Sequence, residues 1–149
     1  IEVSQAAGQP MSIIVLDIDH FKQVNDVYGH LAGDVVLKEV GKRWRQEIRA
    51  SDMLARIGGE EFCVVLPRTP ALHAERIAEK LRLASSRSPI VVDIPGQELR
   101  LIELTASAGV ATADVLEADI AERLFQAADG ALYQAKGQGR DCIVAVLVC

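Results

Sequence analysis

Arg56-Ile57-Gly58-Gly59-Glu60-Glu61-Phe62 sets two glycines and two carboxylates between the apolar runs Met53-Leu54-Ala55 and Phe62-Cys63-Val64-Val65-Leu66. Short apolar segments flanking Gly-Gly predict a tight hairpin, with the glycines expected at positive φ, where they carry no Cβ penalty. Adjacent acids at a hairpin tip repel each other, and a cation or a proton relieves them. Taken alone, the tetrad reads better as a solvated turn. Its meaning depends on what the fold brings beside it.

Upstream, Ser12-Ile13-Ile14-Val15-Leu16 is a continuous apolar run ending at Asp17. It predicts a central strand covered on both faces. Residues 20–33 read as a polar loop. Val36, Leu37, Val40, Trp44 and Ile48 then recur at helical spacing, with Lys42, Arg43, Arg45 and Glu47 between them as the polar side of an amphipathic helix. Downstream, Thr69-Pro70 is expected to open a helix as cap and first residue, with Ile77, Ala78, Leu81 and Ala84 buried and Pro89 as its stop. Residues 90–94 and 98–105 read as a hairpin around Pro95-Gly96, and 107–112 continues as strand. Ile120, Leu124, Ala128, Ala131, Leu132 and Ala135 mark a third helix ending near Gly137 or Gly139, and residues 143–148 read as a buried closing strand. The order β-α-β-β-α-β, with an extra hairpin and helix, predicts an α+β domain with helices on one face of the sheet.

The chain has 149 residues, half of them hydrophobic, which suits one domain with a real core spanning 1–149 and rules out a disordered segment. A net charge of −5 without a basic block argues against nucleic acid as partner. Cys63, Cys142 and Cys149 lack metal-ligand spacing and are odd in number, so reduced thiols in the cytoplasm are expected. No apolar run is long enough to span a bilayer. The chain starts at Ile1, which reads as an N-terminal truncation of a longer protein.

Asp17 and Asp19 end the first predicted strand two residues apart, a spacing that points both carboxylates to one side. Alone, an aspartate at a strand end is more often a loop cap. Beside the Glu60–Glu61 bend the pair suits a divalent ion engaged in phosphoryl transfer, since Mg²⁺ takes hard oxygen ligands and only one or two carboxylates.

Several blocks together resemble the GGDEF family, the diguanylate cyclases, almost from end to end. They are Asp17-Ile18-Asp19-His20-Phe21-Lys22, Asn25-Asp26, Gly29-His30, Gly33-Asp34, Arg56 to Phe62, Ala128-Asp129-Gly130-Ala131-Leu132-Tyr133-Gln134-Ala135-Lys136, and Gly139-Arg140. Glu60 stands as a variant of the name-giving motif. The resemblance implies a ferredoxin-like, polymerase-palm-type central antiparallel sheet. It also implies condensation of two GTP into cyclic di-GMP with loss of pyrophosphate.

The resemblance further implies Mg²⁺, with Mn²⁺ as an alternative, two ions per GTP, held by Asp17, the Ile18 carbonyl, Glu60 and Glu61. Glu61 takes the second ion or deprotonates the attacking hydroxyl. Asn25 and Asp34 match the guanine-reading pair, Leu37 and Phe21 the walls of the base site, and Lys22, Lys136 and Arg140 the triphosphate contacts. From residues alone, Asp34 reads as a helix cap, Asn25 and His30 as turn or cap residues, Leu37 and Trp44 as core, and Asp129 and Tyr133 as structural. Arg49 and Asp52 match an inhibitory product site, and a helix-end ion pair explains them equally well. Lysine stands at position 80, where the family often supplies a further arginine. A segment that commonly precedes the domain is missing, and residues 1–4 read as the interior of a first helix.

The implied partners are GTP, cyclic di-GMP as product and inhibitor, a second copy forming a catalytic homodimer, and an N-terminal sensory or receiver domain. The location is cytoplasmic, with tethering of the parent to the inner membrane face left open. Two other functions compete with the cyclase: a non-catalytic receptor for GTP or cyclic di-GMP, and a palm-type enzyme acting on ATP or nucleic acid.

Overall fold

The computed structural model describes residues 9–114 and 117–149. The helix expected over residues 1–4 lies outside them. Among the described residues seven strands and four helices follow one another: β1 Met11–Ile18, α1 Phe21–Tyr28, α2 His30–Gln46, β2 Met53–Arg56, β3 Glu61–Leu66, α3 Ala71–Ser86, β4 Ile90–Val92, β5 Arg100–Ile102, β6 Ala106–Ala113, α4 Ile120–Gly137 and β7 Ile143–Val148. The five-stranded sheet runs β2-β3-β1-β6-β7, and β4-β5 form a separate hairpin. β1 is antiparallel to both neighbours, whereas β7 runs parallel to β6, so the sheet is mixed rather than wholly antiparallel.

Helices cover both faces, not one. Side chains alternate along a strand, and β1 divides accordingly. Ile14, Leu16 and Ile18 pack with Val36, Val40 and Trp44 of α2 and Ile77 and Leu81 of α3. Met11, Ile13 and Val15 pack with Ile120, Leu124, Ala128 and Leu132 of α4. All eight residues of β1 are buried, as are all eight of β6. The small side chains of β6 let α4 lie close against the sheet.

The predicted loop at 20–33 is largely helical. Phe21 and Val24 are both buried, and their packing pays the ordering cost of the eight-residue α1. Gly29, at φ 91°, breaks the chain between α1 and α2. The glycines of the hairpin tip, Gly58 and Gly59, are not at positive φ. The loop closes instead through the Ile57 and Gly58 N–H groups, which both donate to the Glu61 carbonyl.

Thr69 does not cap α3. Its buried hydroxyl donates to the Pro67 carbonyl at 2.8 Å, and Pro70 takes the cap position. Ile48 falls beyond the end of α2 and is half-buried. β7 is an edge strand, half-exposed along its length.

Arg43, expected on the polar side of α2, is 5% exposed. Its guanidinium donates to the carbonyls of Ala84, Ser85, Ser88 and Pro89, the Ser88 hydroxyl and Glu39. The last carbonyls of α3 lack helical partners, and a cation there also meets the negative end of the helix dipole. Trp44 lies next to this anchor. It donates Nε1–H to the Leu81 carbonyl at 2.9 Å and meets Phe62 edge-on, with ring centroids 5.0 Å apart. Arg43→Ala leaves these acceptors orphaned and is expected to cost about 3 kcal/mol, read from the midpoint of a urea titration at unchanged slope.

Candidate active site

The β1 end and the β3 start meet in register, with Asp17 directly opposite Glu61. Such antiparallel partners hold their Cβ atoms about 5 Å apart. Asp17 is 4% exposed. Its Oδ2 accepts from the Lys136 ammonium at the end of α4, while its Oδ1 is buried with no partner among the described residues. Burial raises the Asp17 pKa most, Lys136 opposes that, and the charges of Glu60 and Asp19 add to the rise. Glu61 is also raised, first by burial, then by the charges of Asp129 and Asp17. Asp129, read as structural, therefore faces the site from α4. Tyr133 is 80% exposed and packs nothing in the core.

Folding thus holds protons on Glu61 to higher pH than the unfolded chain does. Stability tied to this group is full below the ordinary carboxylate range and is lost as pH rises through the raised folded value. Glu61→Gln is expected to raise the melting temperature of the metal-free chain at pH 7.5, and to leave it unchanged at pH 4, by calorimetry at both.

Asp19, the other half of the D-x-D, is occupied. Its oxygens accept from the Thr105 and Ser107 hydroxyls and from the Asp141 N–H at 2.6, 2.7 and 2.9 Å. It is not free to ligate a metal.

From Glu60, a cleft of about 440 Å³ runs between α1, α2 and the hairpin tip. Phe21, Lys22, Asn25, His30, Asp34, Leu37, Arg56, Gly59 and Glu60 line it, so five residues assigned to substrate share one cavity with one metal candidate. Asp34 is in the second turn of α2 and caps nothing. His30 and Arg56 are the wall residues that sequence reasoning missed. Arg56 Nε donates to the Gly58 and Gly59 carbonyls and steadies the tip. A larger groove of about 640 Å³ adjoins the cleft and shares Asp34, Leu37 and Arg56 with it. The smaller cleft holds the converging polar groups and is the better candidate for substrate.

Asn25 Oδ1 is buried without a partner among the described residues. It sits over Gly33, where an added Cβ would collide with Asn25 Oδ1 and lie 3.2 Å from Phe21 Cζ. Gly33→Ala is therefore expected to displace Asn25 and to weaken, about tenfold or more, a ligand held through its amide. The same change favours the helix by up to about 1 kcal/mol. A titration showing weaker binding with no loss of melting temperature would carry both halves of this prediction.

Arg140 lies in the turn after α4, and no ion pair or hydrogen bond engages its guanidinium among the described residues. Arg49 forks onto Asp52 at 2.8–3.2 Å and donates to the Thr69 hydroxyl, beside a shallow pocket of about 270 Å³ walled by Arg45, Ile48, Ala50 and Leu54. Lys80 is not among those walls.

The family profile described as "Diguanylate cyclase, GGDEF domain" matches residues 1–142. The chain belongs to the GGDEF family. The response regulator PleD of Caulobacter vibrioides is 44% identical over 137 residues, covering 92% of this chain and 29% of PleD, so the chain spans under a third of that relative. The active GGEEF domain of a diguanylate cyclase from Vibrio cholerae superposes with TM-score 0.83 at 33% identity, over 97% of this chain and 87% of that one. The GGDEF domain of DgcB from Caulobacter crescentus, solved in complex with c-di-GMP, gives TM-score 0.84 at 29% identity, over 97% and 82%. The α+β fold read from the sequence is the fold of this family.

The donor set suits a hard cation. Among the described residues no three acidic, imidazole or thiol groups converge into a cage. Mg²⁺ takes one or two carboxylates and completes its shell with substrate phosphate and water. The orphaned Asp17 Oδ1 and the ammonium already drawn to Oδ2 mark where positive charge is wanted. No helix among the described residues is long and apolar enough to cross a membrane.

Proposed function

We propose that this chain is the catalytic domain of a diguanylate cyclase, joining two GTP into cyclic di-GMP with release of pyrophosphate. The observation that carries the reading is Asp17 opposite Glu61, with a buried unpartnered oxygen, next to Glu60, which lines one cleft together with Asn25 and Asp34. Asp34 accepts the N1–H and N2–H donors of guanine as a bidentate acceptor, and Asn25 bonds another edge of the ring. Adenine lacks those donors and leaves a carboxylate unpaired, at a cost of about 1–3 kcal/mol. Phe21 and Leu37 wall the base.

Asp17, the Ile18 carbonyl and Glu60 would hold Mg²⁺ or Mn²⁺, with Glu61 at a second ion, and the metal when bound supplies charge neutralisation and a more acidic 3′-hydroxyl. Glu61 takes the proton from that hydroxyl. Lys22, Lys136 and Arg140 bind the triphosphate and stabilise the pyrophosphate charge as it develops. Lys136 must exchange Asp17 for phosphate to do so.

One domain offers one GTP half-site, so two copies face each other and each 3′-hydroxyl attacks the partner's α-phosphate in line. An attached sensory or receiver domain brings the copies together in the cytoplasm, where GTP is supplied. Arg49 and Asp52 bind the product as an inhibitory site, and Lys80, which lies outside the pocket beside them, adds no second planar fork to that grip.

A receptor that binds GTP or cyclic di-GMP without turnover is the second reading. The retention of both Asp17 and Glu61 favours the enzyme. Incubation of the dimerised full-length protein with labelled GTP and Mg²⁺ is expected to yield the cyclic dinucleotide. Binding with no product would select the receptor.

A further inference from the structure

Gly139, Arg140 and Asp141 lie consecutively at φ 108°, 65° and 47°. Left-handed backbone is unfavourable for the two non-glycine residues, so neighbouring groups must hold the turn. The Arg140 N–H donates to the Ala135 carbonyl at 3.1 Å and closes the end of α4. The Asp141 N–H donates to the buried Asp19 carboxylate at 2.9 Å. Arg82 of α3 donates Nη1–H to Asp141 Oδ1 at 2.7 Å, and is itself held by Glu79. Asp17 and Asp19 therefore grip two successive parts of one helix end. Asp17 takes Lys136 in the last turn, and Asp19 takes the backbone five residues later.

We propose that Asp19 and Arg82 are positioning residues for triphosphate binding, locking the 139–141 turn so that Arg140 is presented with a free guanidinium. The inference rests on the reading of Arg140 as a triphosphate contact. Asp19 fixes the backbone of the turn. Arg82 ties the Asp141 side chain to α3 through a charge-assisted bond and so holds the turn from its other side. The second aspartate of the D-x-D thereby has a role without metal: it anchors the strand end to the phosphate-binding turn.

The test is calorimetric titration of this chain, in Mg²⁺, with a GTP analogue bearing a methylene between the α- and β-phosphorus atoms, and in parallel with GMP. Arg140→Ala is expected to weaken the triphosphate about tenfold and GMP by less than about twofold. Arg82→Ala should weaken the triphosphate about fivefold, with Arg82→Lys recovering part of the loss. The double variant should bind no worse than Arg140→Ala alone, since both changes remove one contact. Asp141→Asn, an exposed change that keeps the turn's preference for left-handed backbone, should match Arg82→Ala and serves if that variant does not fold.

If Arg140→Ala leaves the triphosphate affinity unchanged, the triphosphate reading fails at its root. If Arg140→Ala weakens it while folded Arg82→Ala and Asp141→Asn do not, the positioning role is overturned. Equal loss of GMP in Arg82→Ala would also overturn it, by showing a general structural defect.

Discussion

Glu61→Gln is expected to lower cyclic di-GMP formation by about 10³-fold or more, while GTP affinity stays within about threefold. The amide keeps the shape of the side chain opposite Asp17 but accepts no proton from the attacking hydroxyl and brings no negative charge to a cation. General-base loss alone accounts for about 10²–10⁴ in rate. On the proposed reading binding survives because other residues carry it, Asn25 and Asp34 for the base and Lys22, Lys136 and Arg140 for the triphosphate. Product formation from labelled GTP, with affinity measured separately, checks both halves. Unchanged turnover would remove Glu61 from the mechanism.

Gly109→Ala is expected to cost about 3–5 kcal/mol or to prevent folding. Gly109 is in β6 beneath α4, and an added Cβ would lie 2.9 Å from Ala131 C and closer still to Ala128 O and Leu132 N. These are backbone atoms of one helix and cannot turn aside as a side chain would. The helix must lift from the sheet, opening the packing of Leu124, Ala128 and Leu132 on Met11, Ile13 and Val15. Lifting α4 also withdraws Lys136 from Asp17 and disturbs the turn bearing Arg140. Reduced melting temperature, or insoluble expression, is the expected readout. A variant with native stability would show that α4 packs less closely than its contacts with β6 require.

Helix α1 was missing from the sequence reading, which took its residues as part of a loop. Asn25, Asp26 and Gly29 carry turn chemistry, and they outweighed the Phe21–Val24 pair, which spans less than one helical repeat. α1 forms because those two side chains reach the core, a tertiary gain that local propensity does not contain. Arg43 deceived for a similar reason. A cation between apolar positions reads as solvated, and only the end of α3 packed beside it reveals a cage of carbonyls. Cys63 offered no such surprise: burial pushes its thiol up to about 11, consistent with an unreactive core residue.

The pattern of apolar runs and punctuation was enough to locate most strands, the hairpin with its acids, and three of the helices. The ordered motif blocks were enough to place the chain in its family. Those features reside in neighbouring residues, whose spacing the chain carries directly. Tertiary structure alone decided that helices cover both faces, that Asp17 holds Lys136 across 119 residues, and that Asp19 holds Asp141 across 122. Such pairings follow from strand register and from how closely α4 settles on the small side chains of β6, and neither is written in any local stretch of sequence.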